Sequence, residues 1–158
     1  MNTIQKLENN YKQCFKDAAR AKEIRQKFFD LFPKEVLEME AGSISVWDFS
    51  SSPEIDFVPP IGNNAERHQW TLQTIKFLES TGFVFPEKPI GHSESVQWIG
   101  KKELENGKTI TIEINNCPVP PGCIIRKEIT IVPEHEEEVS KVVCLEDERN
   151  EINTLVEA

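Results

Sequence analysis

Apolar residues recur with two different periods along this chain, and the change of period divides it. From residue 3 to residue 32 they fall three and four apart: Ile4, Leu7, Tyr11, Cys14, Ala18, Ala21 and Phe28. Lys12, Lys16, Arg20 and Lys27 take the other side, and no glycine or proline intervenes before Pro33. That spacing predicts one long amphipathic helix, with Thr3 as its N-cap. Such a helix would run for about 45 Å, more than the body of a domain this size needs. Its far end, FFDLFP, concentrates Phe28, Phe29 and Phe32. These rings either turn into the core or form a contact patch.

Period-two alternation follows. SISVWDF (43–49) and EIDFV (54–58) predict two short strands, the second with Ile55 and Phe57 on one face and closed by Pro59 and Pro60. A second helix is expected from Asn63 or Asn64 to Gly82, capped by asparagine at the start and by glycine just past the end. Leu72, Ile75 and Leu78 are its expected buried face, with His68 a turn earlier.

Beyond residue 95 the chain reads as an antiparallel meander, with strands near 96–104, 108–116, 123–132 and 139–145. A two-residue Asn106–Gly107 turn would set Ile110 and Ile112 opposite charged residues. A loop of Glu105, Asn106 and Gly107, with Gly107 left-handed, shifts the register by one residue. Ile110, Ile112 and Ile114 then share a face with Val96, Trp98 and Leu104, and Lys102 is the one exception. The same face test on the NNCPVPPGC loop favours setting Ile114 against Ile125 and Glu113 against Arg126. Cys117 and Cys123 then point to opposite sides of one sheet, which does not suit a disulfide between them. The loop reads as a proline-stiffened turn with Gly122 supplying an unusual backbone angle.

The fold class expected is therefore α+β: a long N-terminal helix and a second helix packed on one face of a mainly antiparallel sheet. Residues 1–145 form a single domain, and 146–158 an acidic tail or short helix. A chain of 158 residues buries roughly 70% of its unfolded surface and needs no staple to fold. The polar start and the lack of any long apolar run point to a cytoplasmic protein that meets no membrane. Its Cys14, Cys117, Cys123 and Cys144 are then expected as reduced thiols.

Charge sharpens this picture. The net charge is −9, yet residues 1–34 hold eight Lys/Arg against four Asp/Glu, whereas residues 134–158 hold two against nine. An acidic whole argues against nucleic-acid binding, which needs cations for phosphates. The aromatic residues are not interleaved with Lys/Arg as a base-stacking groove requires.

Chemistry-bearing motifs are few. No Walker loop, GxSxG or HExxH occurs. Cys117 and Cys123 are spaced outside the usual zinc-knuckle interval, so no metal and no cofactor are expected, although Cys117, His135 and Cys144 could meet if the last strands converge. A thiol or catalytic site could arise only from Cys117 or Cys123 with His92 or His135. The glutamates Glu136, Glu137 and Glu138 read as solubilising charges or as an acidic patch for a basic partner.

Three function classes follow. The first is a non-catalytic interaction or regulatory protein, a profile shared by inhibitors carried by mobile elements. It would bind another protein through Lys12, Lys16 and Arg20, through Phe28, Phe29 and Phe32, or through Glu136, Glu137 and Glu138. The second is a small enzyme built on His92 and the Cys117–Cys123 loop. The third is an assembly subunit, a homodimer through the N-terminal helix.

Overall fold

The computed structural model describes residues 1–13, 30–47, 52–132 and 135–145, with the backbone alone for 10–13, 128–132 and 135–137. Helix α1 (Thr3–Gln13) opens the chain, followed by a single turn, α2 (Lys34–Leu37). Strands β1 (Ser43–Trp47) and β2 (Glu54–Val58) precede helix α3 (Asn64–Ser80). The remainder is all strand: β3 (Ile90–Gly91), β4 (Val96–Glu103), β5 (Thr109–Cys117), β6 (Cys123–Val132) and β7 (His135–Cys144). The architecture is α+β.

The α1 N-cap is Asn2, not Thr3. The Gln5 amide donates to Asn2 Oδ1 at 2.8 Å, and the Asn2 amide donates to Gln5 Oε1 at 2.9 Å. This reciprocal pair frees Thr3 to be fully buried beside Leu7, where α1 packs over β1. The described parts of the expected long helix are α1 and the helical residues Asp30 and Leu31. Residues 14–29, with Lys16, Arg20, Phe28 and Phe29, lie outside the described residues.

Five strands form a mixed sheet in the order β1-β2-β5-β4-β3. β2 runs antiparallel to β1 and parallel to β5, while β4 is antiparallel to both β5 and β3. The meander expected for the C-terminal half therefore stops at β5. β6 does not pair with β5; it pairs with β7 in a separate two-stranded ribbon. The reason lies at the end of β5. Trp98 pairs with Ile114 and Val96 with Cys117, so β5 carries one extra residue there. Asn116 absorbs it with a left-handed φ of 55°, and its carbonyl accepts from Arg67 Nη2 at 2.6 Å. This bulge bends the strand, and Pro118, Pro120 and Pro121 supply no amide to continue a ladder. It also brings Cys117 onto the same face as Ile114, where simple alternation would put it on the other.

The β4–β5 hairpin follows the expected register. Leu104 and Lys108 close a loop of Glu105, Asn106 and Gly107, with Gly107 at φ 81°. Lys102 stands opposite Ile110 on the apolar face, and its Nζ donates to the Thr81 carbonyl at 2.8 Å. That carbonyl ends α3, so the charge completes a helix C-terminus. The same helix stops in a Schellman motif: the Phe83 amide bonds to the Leu78 carbonyl, the Gly82 amide to Glu79, and Gly82 adopts φ 103°. At the other end Asn63 accepts from the Glu66 amide at 2.9 Å.

The core lies on one face of this sheet. Ile44, Ile55, Phe57, Val96, Ile110, Ile112 and Ile114 are buried there against Leu7, Phe32, Val36, Leu37, Ile75 and Leu78. Leu72 was expected inside but is 48% exposed. The buried stripe of α3 is Thr71, Thr74, Ile75 and Leu78, and Thr71 settles its hydroxyl by donating to the Arg67 carbonyl. Among the described side chains the ribbon joins this core through its base: Ile125, Val142, Cys123 and Cys144 pack on it, beside Gly91 of β3.

Candidate functional site

The second face of the mixed sheet contributes nothing to the core cluster. Alternation in β2 and β5 decides what it presents. With Ile55, Phe57, Ile112 and Ile114 turned inward, Glu54, Asp56 and Glu113 turn outward. Parallel pairing sets Asp56 beside Glu113, and β1 sets Trp47 beside Glu54. One carboxylate oxygen from each of Glu54, Asp56 and Glu113 lies within 4.8 Å of the other two.

Neutral groups hold this trio. Trp47 Nε1 donates to Asp56 Oδ2 at 2.7 Å. Gln97 Nε2, from β4, donates to Glu113 Oε2 at 3.0 Å and to Asn115 Oδ1 at 2.7 Å. His92 Nε2 stands 3.4 Å from Gln97 Oε1. Among the described residues no lysine or arginine forms an ion pair with any of the three carboxylates, and Asp56 Oδ1 is closed to solvent without a hydrogen-bond partner.

The electrostatic result is a set of carboxyl groups that hold protons. Burial, then the charges of Asp56 and Glu113, push Glu54 up to about 8. Burial and the charge of Glu113 also raise Asp56, while the Trp47 indole pulls it back. Near neutral pH the cluster therefore keeps a proton on Glu54. Chemically, the site can exchange that proton for another cation. Three hard oxygen donors this close suit a calcium-like or magnesium-like ion, an ammonium or a guanidinium.

Those residues singled out from sequence that are described lie elsewhere. Phe32 is in the core, 3% exposed and stacked on Phe83 with ring centroids 6.5 Å apart, so it offers no contact surface. Lys12 falls in the last turn of α1. Glu136, Glu137 and Glu138 occupy β7 opposite Ile131, Thr130 and Ile129, and Glu138 pairs with Lys127 at 3.4 Å.

The four candidates for a thiol site are dispersed. Cys123 is bonded to Cys144, its direct register partner, with Cα atoms 3.9 Å apart. The expectation of reduced thiols is corrected for Cys123 and Cys144: the two face each other across the ribbon, a relation hidden while β6 was paired with β5. Cys117 is free and buried on the core face, its thiol donating to the Ile114 carbonyl at 3.4 Å. Burial pushes it up to about 11, against smaller pulls from Thr71 and Arg67, which makes it a poor nucleophile. His92 sits in the exposed turn before β4, on the side of Gln97. His135 begins β7 and Cys144 ends it, nine residues away, about 30 Å of strand. Cys117, His135 and Cys144 thus do not gather into a metal site.

Sequence reasoning missed Glu54, Asp56 and Glu113 as a group, together with Trp47 and Gln97. The signal was the E-x-D spacing of β2, which places two carboxylates on one face of a strand. No family model matches this sequence, and neither a curated protein nor a solved structure matches it.

Proposed function

We propose that this chain is a non-catalytic interaction protein of regulatory type. It takes a basic group of a protein partner on the face of its mixed sheet opposite the core. The observation that carries this reading is the Glu54–Asp56–Glu113 trio: three half-buried carboxylates crowded on the sheet face opposite the core, with neutral donors and no cationic neighbour among the described residues. Among the described residues no cation supplies the charge complement, which leaves that role to a partner in this reading. Trp47, 47% exposed at the rim, adds a surface on which a guanidinium or ammonium can rest. The acidic balance of the whole chain supports the same choice of partner and disfavours nucleic acid.

A small enzyme on His92 and the cysteine loop draws no support from a bonded Cys123 and a buried Cys117. Among the described residues no helix is long and apolar enough to cross a membrane. The cytoplasmic location stays part of the proposal. In a reducing compartment Cys123 and Cys144 would face each other as thiols, and titration of the thiols in freshly isolated protein tells the two states apart.

The test is calorimetric titration of arginine- and lysine-rich peptides against the full chain. Binding should weaken with salt and weaken again as pH falls below 8, because protons then compete for the trio. The double variant Asp56→Asn/Glu113→Gln should lose it. Binding that survives the double variant, or no binding of either peptide, defeats the reading.

A further inference from the structure

The two-stranded ribbon has an edge that no described strand uses, and the ladder pattern shows which groups it offers. The Leu145 amide donates to the Gly122 carbonyl at 2.9 Å, which marks Gly122 and Leu145 as a hydrogen-bonded pair. The next pair, Cys123 and Cys144, is then of the non-hydrogen-bonded kind, in keeping with its Cα separation of 3.9 Å and with the Cys123 amide bonding to Pro120 instead. Counting along the register, Ile125, Lys127, Ile129 and Ile131 all aim their amide and carbonyl groups away from β7. β6 therefore presents along its outer edge a row of backbone groups that no described strand pairs.

Toward the tip, the devices that normally blunt such an edge sit on the other strand. β7 touches β3 near the body, and toward the tip its sequence is HEEE. β6 instead ends Ile129, Thr130, Ile131, Val132, an uncharged run of strand-forming residues without a proline. A two-stranded ribbon is marginal in water by itself, and the described side chains of this one pack at its base, so its outer part gains most from a further strand.

We infer that the outer edge of β6 pairs antiparallel with β6 of a second copy of this chain, joining two ribbons into a four-stranded sheet across a two-fold axis. The charge pattern of β6 selects this occupant. Outward-facing residues must meet outward-facing residues, so the central register puts Lys127 on the axis. Position 126, an arginine, then lies opposite position 128 of the copy, a glutamate, twice over and in the closely spaced kind of pair. The two Lys127 residues meet at the widely spaced kind, each with Glu138 of its own ribbon 3.4 Å away. Sliding the axis by one residue either way sets arginine against arginine or glutamate against glutamate at the close position. The strand thus complements itself in one register. Such an isologous contact leaves neither β6 edge free.

The inference stands apart from the proposal for the sheet face, and sedimentation equilibrium of the full chain over a concentration series tests it. A reversible dimer is expected. Arg126→Glu should weaken it by about tenfold or more, since two attractions become two repulsions, and the swap Arg126→Glu/Glu128→Arg should restore it. Ile129→Pro removes an amide that β7 does not use, so it should abolish the dimer while the monomer keeps its circular dichroism. A monomer at every concentration overturns the inference. So does a dimer that Arg126→Glu leaves unchanged, which would place self-association elsewhere, for example on the N-terminal helix.

Discussion

The mixed sheet and the ribbon are built from similar strands and held by different means. β5 has a neighbour on each side and a helix over its apolar face, and Ile110, Ile112 and Ile114 are fully buried. β6 is as long but has one neighbour among the described strands, and of its described side chains only Cys123 and Ile125 pack on the core. The sheet is therefore stabilised by apolar burial, and the ribbon by ten register pairs and one covalent bond at its base. Strand length and propensity do not separate the two. What separates them is how many faces and edges the rest of the chain covers.

The largest effect is expected where that coverage is complete. Phe57 is fully buried between Ile44 and Ile114, its register neighbours on β1 and β5. Phe57→Ala should cost about 3–5 kcal/mol in urea denaturation, in a single transition that takes the whole sheet with it. A loss under 1 kcal/mol would mean the sheet is not the stable part of the molecule. Next comes Cys144→Ser. Opening a bond that spans 21 residues should cost about 3 kcal/mol, chiefly through the freedom returned to the unfolded ribbon. Hydrogen exchange decides whether the two regions are separate. Amides of β6 and β7 should lose protection while those of β2 and β5 keep theirs. Equal loss in both would make the ribbon part of one cooperative unit and end the comparison.

Much of the sheet was legible, and for local reasons. The β4–β5 register followed from keeping isoleucines on one face, down to the exceptional Lys102, whose charge turned out to end α3. Asn63 and Gly82 marked the ends of α3 through the backbone geometry that each permits. What was hidden depends on contacts between distant segments. The parallel contact of β2 with β5 leaves no trace in either strand, so the E-x-D of one and the glutamate of the other could not be seen to meet. The left-handed Asn116 redirected β5 away from β6, and asparagine only tolerates that conformation without announcing it. The disulfide followed from the same error. Cys123 was tested against Cys117, its neighbour in sequence, when its neighbour in space is Cys144.

A smaller effect sharpens the contrast between the two faces of the mixed sheet. Glu54 is held at about 8 in the folded chain, above its ordinary 4.5, so the folded state keeps a proton that the unfolded state releases. The stability this contributes is present below pH 4.5 and is lost as pH rises through 8. Asp56, also raised, acts in the same sense. Glu54→Gln should flatten that decline and stabilise the chain above pH 8 by about 1 kcal/mol or less, since the group is partly exposed and screened. A chain equally stable at pH 6 and pH 9, before and after the substitution, would mean that the carboxylates do not repel each other. No substitution on the core face should reproduce this pH dependence, because no carboxylate is buried there among the described residues.

The smallest effect belongs to the ribbon. Lys127 and Glu138 pair at 3.4 Å with more than half of each side chain in water. Their attraction is screened, and holding two long side chains together costs entropy that offsets it. Glu138→Gln should therefore change the stability of the monomer by less than about 0.5 kcal/mol and leave the exchange of ribbon amides unaltered. The comparison makes this small value informative. If the outer ribbon were packed against the body as the sheet is, removing one partner would strand a charge in a poorly hydrated place and cost several times more. A loss of about 2 kcal/mol would thus show that the ribbon beyond Ile125 is covered in solution, and the distinction between a buried sheet and an uncovered arm would have to be redrawn.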